Sequence, residues 1–375
     1  MIFILRKWTF AFTTLTLCFG LLAGCAPAAP SPAPSQSVPV SSSEASSAPV
    51  SSAPEASQPS EAAVSSEVPA TAESVPQSGE TIRLAGLKGP TTMGMAKLLA
   101  DNDKGLSQNK YTFTMAGAAD EIVAGLAKGE LDAAAIPANL ASVLYHNTEG
   151  KISLAAINTL GVLYVVETGD TVHTLEDLKG KTIYSTGQGT TPEFALNFVL
   201  AQNGIDPAAD LTVEYKSEAA EVAALMQLES RFSIALLPEP FVTTAKAKNP
   251  RLRTALSLTE EWDKVGDGSA LVTGVLVVRN DFLAEYETAF QSFLEEYRAS
   301  TEYVNQSPQE AAQLVETLGI APAAVAEEAI PACNITFLSG PEMKEKVSGY
   351  LKALFDQNPK AVGGALPDDA FYYQG

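Results

Sequence analysis

Two short stretches decide the fold: Thr81-Ile82-Arg83-Leu84-Ala85-Gly86 and Thr182-Ile183-Tyr184-Ser185-Thr186-Gly187. Their first two positions and their last are identical. Each has the apolar pattern of a strand, and each is followed by a further glycine, a Thr-Thr pair and a helical pattern. Thr91 or Thr92 is a cap for a helix carrying Met95, Leu98 and Leu99 on its apolar face. The helix in the second copy starts near Pro192 and Glu193, and proline suits a first helical turn.

A second unit repeats. A helix over Ala119–Lys128 leads to an apolar strand over Leu131–Ile136, and Pro137-Ala138-Asn139 opens another helix. A helix over Ala219–Glu229 leads to a strand over Phe232–Leu237, and Pro238-Glu239-Pro240 opens the next. Thr81 and Thr182 are 101 residues apart, and so are Pro137 and Pro238. A third echo sets Gly161-Val162-Leu163-Tyr164-Val165-Val166 beside Gly274-Val275-Leu276-Val277-Val278, at the points where the chain would cross between two halves. The pattern predicts an α/β protein of two similar lobes, each a sheet with helices on both faces. From Phe282 onward Phe290, Phe293, Leu294 and Tyr297 recur at helical spacing, and these helices are expected to pack back on the first lobe.

The chain ahead of Glu80 has a different character. Arg6 and Lys7 precede an apolar run from Trp8 to Ala23, too short for a span of about 20 residues, as in an export signal. The run ends in Leu22-Ala23-Gly24-Cys25, which resembles a bacterial lipobox and implies lipidation of Cys25. Residues 26–79 are almost all Ser, Pro, Ala, Val and Glu, with five Glu and no Lys, Arg or aromatic residue. Such a segment buries too little apolar surface to offset its chain entropy, so it is expected to be a flexible leash of about 40 Å. The expected layout is therefore a signal at 1–24, a lipid-anchored linker at 25–79, the first lobe over 80–165, the second over 166–273, and a return strand with C-terminal helices over 274–375.

Composition removes several function classes. The 375 residues carry 24 Lys plus Arg against 44 Asp plus Glu, a net charge of −20, which lacks the basic footprint that nucleic acid requires. With Cys18 and Cys25 in the N-terminal segment, Cys333 stands alone in the body, so no disulfide framework exists there. His146 and His173 have no partners at metal-ligand spacing, so no metal or cofactor is expected. No Gly-x-Ser-x-Gly, His-Glu-x-x-His or Ser-His-Asp pattern points to catalysis.

In open α/β sheets ligands sit beyond the carboxyl ends of strands, beside helix N-termini. Two facing lobes offer four such loops: Leu87–Thr92, Pro137–Asn139, Gly187–Glu193 and Pro238–Phe241. The candidate ligand-binding residues are Lys88, Gly89, Thr91, Thr92, Asn139, Tyr184, Gln188, Gly189, Thr190, Thr191, Glu193 and Glu239. Glycines allow close backbone approach, threonine hydroxyls and first-turn N–H groups donate, and Lys88 adds a cation. Glu239, between two prolines at an exposed strand end, would require a donor or cation on the ligand. Tyr184 and Tyr164 are candidates for stacking on an aromatic ring. Trp262 follows two acids in an expected surface loop, with packing its expected role.

These pieces together resemble a known family. The lipobox, Leu175-Glu176-Asp177-Leu178-Lys179-Gly180-Lys181, Gly187-Gln188-Gly189-Thr190-Thr191-Pro192, Leu237-Pro238-Glu239-Pro240 and the end from Tyr350-Leu351 to Phe371-Tyr372-Tyr373 are similar to type 2 periplasmic binding proteins. The branch is the one serving nitrate, sulfonate, taurine and thiamine-precursor importers. The resemblance implies two α/β lobes joined by two hinge strands, a cleft that closes on a small-molecule ligand, and delivery of that ligand to an ABC permease and ATPase complex. It implies a monomer, held at the extracytoplasmic face of the cell membrane by its lipid, and no catalysis. A ligand sensor and an enzyme on the same scaffold are the competing readings. The resemblance leaves the ligand open between an oxyanion and an aromatic heterocycle. One departure is Ser233, where the family often has an Asp; Asp132 keeps it in the first lobe.

Overall fold

The computed structural model describes residues 79–228 and 233–375. The expected signal, Cys25 and the linker up to Ser78 lie outside the described residues, as do Glu229 and Phe232 at the ends of one expected helix and strand. The chain runs β1 (Thr81–Leu87), α1 (Pro90–Met93), α2 (Ala96–Asp103), β2 (Lys110–Ala116), α3 (Ala119–Lys128), β3 (Ala133–Pro137), α4 (Ala138–Asn147) and β4 (Ile152–Leu160). It continues through β5 (Leu163–Thr168), β6 (Thr182–Ser185), α5 (Thr191–Gln202), β7 (Thr212–Tyr215), α6 (Ala219–Gln227), β8 (Ile234–Pro238), α7 (Phe241–Lys248), β9 (Leu252–Ser257) and α8 (Leu258–Val265). Then come β10 (Val272–Arg279), α9 (Asn280–Gln306), α10 (Pro308–Thr317), α11 (Ala323–Ala329), β11 (Ile335–Leu338) and α12 (Gly340–Gln357).

Two sheets result, in the orders β2-β1-β3-β10-β4-β11 and β7-β6-β8-β5-β9. Each has one interior strand against its parallel neighbours, β10 antiparallel to β3 and β4 and β5 antiparallel to β8 and β9, and in the first sheet the edge strand β11 is antiparallel to β4 as well. The orders match position for position, β1 with β6, β3 with β8, β10 with β5, as the 101-residue spacing predicts. The third echo, β5 with β10, has a topological meaning. Each lobe receives its antiparallel strand from chain that has just crossed over from the other.

The expected boundary at 165/166 falls differently in the structure. Leu163 already pairs with Pro238 inside the second sheet, so the chain leaves the first sheet after Leu160 and crosses at Gly161 and Val162. The return crossing follows α8, and β10 begins at Val272. An apolar run reads the same whether it bridges two sheets or sits at the centre of one. Strands β3 and β8 lie at such centres, and Ala133–Ile136 and Ile234–Leu237 are all buried, as expected for strands covered on both faces.

The C-terminal helices also depart from expectation. α9 does cover the first sheet, with Phe290, Phe293 and Tyr297 in one core with Ile82, Leu84 and Leu276. α12, however, packs on β4, β10 and α4 of the first lobe and on α5 of the second. The Tyr350 hydroxyl donates to Thr191 Oγ1 at 3.1 Å, and its ring lies 5.5 Å from that of Trp262. Trp262 is thus no loop residue. It is fully buried on α8, stacked 4.2 Å from Phe198, with its indole N–H on Ser269 O.

Candidate functional site

The loops at the carboxyl ends of both sheets face each other and enclose a cavity of about 410 Å³. The first lobe contributes Leu87, Lys88, Pro90 and Thr91 after β1, Gly117 to Asp120 where α3 begins, Pro137 after β3, and Thr159 on β4. The second contributes Thr186 to Gln188 and Thr190 to Pro192 at the start of α5, Lys216 to Ala219 at the start of α6, and Pro238 after β8. Val162, Leu163 and Thr273 come from the crossovers and the strands they feed. The walls touch: Asn139 Nδ2 donates across the gap to Gly189 O at 3.2 Å, and Glu218 Oε1 lies 3.3 Å from where a Gly117 side chain would start.

Of the residues expected here, Lys88, Thr91, Gln188, Thr190 and Thr191 line the cavity. The others sit beside it with other partners. Gly89 is the N-cap of α1 at φ 141°, a conformation open only to glycine, and neither threonine caps the helix. Thr92 instead lies inside α1 and donates to Leu87 O at 2.5 Å. Asn139 is buried on α4, and its amide also donates to Ala361 O at 3.3 Å. Glu193 accepts the Gly189 N–H at 2.5 Å. Glu239 is not exposed but 5% accessible, its carboxylate taking the N–H and hydroxyl of Thr243 at 3.0 and 3.1 Å. Burial pushes its pKa above the ordinary range, against those two hydrogen bonds. Tyr184 serves a neighbour: the Lys216 ammonium lies 5.4 Å over its ring and 3.5 Å from Glu214.

The donors anticipated from the loops are already engaged. Thr91 Oγ1 donates to Leu87 O at 3.2 Å, and Thr190 Oγ1 donates to Gly187 O at 2.8 Å. At the start of α6, the Ser217 N–H goes to Glu221 at 3.3 Å, as Gly189 goes to Glu193. The helices therefore hold carboxylates of their own over their first turns, which partly cancels their dipoles. The lining carries Lys88 and Lys216 against Asp120 and Glu218, and no aromatic residue.

Sequence reasoning missed Lys216, Thr159, Thr273 and the starts of α3 and α6. Both helices were recognised, but the loop before α3 has a single glycine, Gly117, and the loop before α6 a single hydroxyl, Ser217, without the glycine and threonine pair that marked the other loops.

The comparisons with known proteins agree with this architecture. No curated protein matches the chain. A crystal structure of an ABC transporter protein from Parabacteroides distasonis is similar at 27% identity, covering 78% of this chain and 99% of that one, with a TM-score of 0.64. The periplasmic aliphatic sulphonate-binding protein of Escherichia coli shares the fold at 16% identity, with 79% and 93% covered and a TM-score of 0.63. The periplasmic nitrate-binding protein of Synechocystis PCC 6803 shares it at 13% identity, with 75% and 82% covered and a TM-score of 0.55. A family model described as the phosphonate periplasmic substrate-binding protein of ABC transporters matches residues 110–329, more than half of the chain. Phosphonate was not among the ligands that the sequence resemblance brought forward. With its paired sheets, its strand exchange and that match, the chain belongs to the phosphonate family of periplasmic substrate-binding proteins of ABC transporters.

Proposed function

We propose that this protein is an exported lipoprotein, anchored through Cys25 at the extracytoplasmic face of the cell membrane. There it captures a small oxygen-rich anion of the phosphonate or sulfonate kind between its lobes and hands it to an ABC permease. It acts as a monomer and does no chemistry on its ligand. The observation that carries this reading is the cavity itself: about 410 Å³, walled by loops of both lobes, rich in threonine, with Lys88 and Lys216 set against Asp120 and Glu218. That volume suits a compact organic ligand. The lack of aromatic lining removes the stacking surface on which a heterocycle would depend, and Tyr184 is engaged with Lys216.

A thermal-shift screen of the mature chain tests it, with methylphosphonate, phosphite, ethanesulfonate, taurine, nitrate and an aminopyrimidine as probes. A ligand at 100 times its Kd adds about 2.7 kcal/mol of stability, a readable rise in melting temperature. A phosphonate or sulfonate is expected to give the largest rise. A rise with the aminopyrimidine alone would overturn the anion assignment, and no rise with any probe would overturn the receptor reading.

A further inference from the structure

Four of the seven buried side-chain polar atoms without a partner among the described residues gather where the lobes cross: Asn158 Oδ1, Thr159 Oγ1, Thr259 Oγ1 and Thr273 Oγ1. Buried polar groups are nearly always hydrogen-bonded, so a cluster of orphans needs a reason. Thr159 and Thr273 also line the cavity. Thr159 is fully buried in β4, and Thr273 precedes its rung partner Gly274 in β10.

The strand pairing explains how Thr273 comes to lie at the cavity. Val272 pairs with Leu160 and Gly274 with Thr159, which leaves Thr273 as an extra residue between two consecutive rungs. Such a bulge re-aims a side chain and is common beside functional sites. The next residue has to be glycine, because a Cβ on Gly274 would lie 2.5 Å from Asn158 Oδ1 and 2.6 Å from Thr91 Cγ2. The floor of the cleft is thus drawn tight around Thr91, Thr159 and Thr273. Of these three, Thr91 has given its proton to Leu87 O. Thr159 and Thr273 have given theirs to nothing in the protein.

We propose that Thr159 and Thr273 form a hydroxyl subsite at the floor of the cleft: both oxygens are closed off in the ligand-free structure, and a turn about χ1 on binding brings them to donate to the oxygen atoms of the bound anion. This rests on the receptor reading above and assigns the hydrogen-bonding end of the ligand to the crossover rather than to the glycine loops. The lysines of the walls supply charge, and the two floor hydroxyls supply directed donors. Threonine fits the task in a second way, since its branched side chain has few rotamers to lose on binding.

The test uses the mature full-length chain, with methylphosphonate and ethanesulfonate as probes in titration calorimetry. Thr159→Val and Thr273→Val keep shape and remove the hydroxyl. Without ligand, each variant is expected to melt at or above the unsubstituted protein, because an unpaired buried hydroxyl has been replaced by a methyl group. With ligand, each is expected to bind roughly tenfold more weakly or worse, and Thr159→Ser to restore binding. Opposite movement of stability and affinity is a signature that a purely structural threonine would not give. If the unsubstituted protein binds a probe and both valine variants bind within twofold of it, the floor subsite is wrong and the receptor reading stands. If the ligand-free valine variants melt lower, the hydroxyls are structural and the proposal fails whichever probe binds. If the unsubstituted protein binds neither probe, the assignment of the cleft to such anions fails and takes the subsite with it.

Discussion

The two lobes share a topology strand for strand, yet they secure it with different polar chemistry. In the first, Asp132 at the mouth of β3 holds Arg83 on β1, accepting its Nε and its backbone N–H at 2.9 and 2.8 Å and pairing with its second guanidinium nitrogen. The matching positions 101 residues on are Ser233 and Tyr184, which form no ion pair. The second lobe places its own pair elsewhere, between Glu167 on β5 and Arg253 on β9, at 2.7 Å. Glu167 is fully buried and also takes the Thr171 and Val172 N–H groups. Apolar patterning specifies the order of strands, because each β3-type run must be covered on both faces. A buried charge requires only some partner within reach, so the pair can sit in either half of the sheet. The missing Asp at position 233 is therefore replaced by a pair on different strands.

This comparison can be broken most directly at the two arginines. Arg253→Met takes the charge partner from a fully buried Glu167, which keeps its bonds from Thr171 and Val172, and is expected to cost about 3 kcal/mol in urea unfolding. Arg83→Met leaves Asp132, itself 3% exposed, with the Arg83 backbone N–H and no charge partner, so a loss of about the same size is expected. A loss at one arginine alone would mean that only that lobe relies on its pair.

The next test lies within the second lobe, where two glutamates respond to pH with opposite signs. Burial pushes Glu167 up, but hydrogen bonds from Thr171 and Val172 and the Arg253 charge outweigh it and hold the pKa below the ordinary value of 4.5. A depressed folded pKa stabilises above the unfolded value and is lost as pH falls through the folded one. Glu239 has a raised folded pKa, so the folded state prefers it protonated, and stability declines as pH climbs from 4.5 through that value. Melting curves from pH 4 to pH 8 should show Glu167→Gln lowering the melting temperature at neutral pH. Glu239→Gln should raise it there, by about 1–3 °C. Both differences should shrink towards the acid end. A Glu239→Gln protein that melts lower at pH 7 would mean the carboxylate is stabilising as an ion.

The smallest effect is expected at the glycine loops. Thr91→Val and Thr190→Val remove hydroxyls whose protons already go to Leu87 O and Gly187 O, so probe binding should change by less than about threefold. A tenfold loss in calorimetry would return the donor role to these loops.

How far the sequence reached follows the same division. The repeat at 101 residues is a matter of apolar runs and turn residues, and it located both sheets, the fold and four of the loops that border the cavity, but not those before α3 and α6. Orientation within the loops was another matter. Glycine and threonine mark a turn, but they do not say whether a hydroxyl faces a ligand or the carbonyl three to five residues behind it, as Thr92 and Thr190 do. Thr273 was illegible for a stronger reason. Its direction depends on a register slip against β4, more than a hundred residues away, and no local pattern encodes it. Lys216 was hidden because its neighbours carry no turn signal, although its charge in an acidic chain was a clue that went unused.

Tyr350 carries a mechanical consequence. It belongs to the final long helix, whose main support is the first lobe, while its hydroxyl and ring rest on Thr191 and Trp262 of the second. The helix therefore bridges the two lobes beside Thr191 in the cavity wall. Under the receptor reading, any swing that parts the walls would either peel Tyr350 from that seat or drag the helix along, so the contact would limit the reach of the opening.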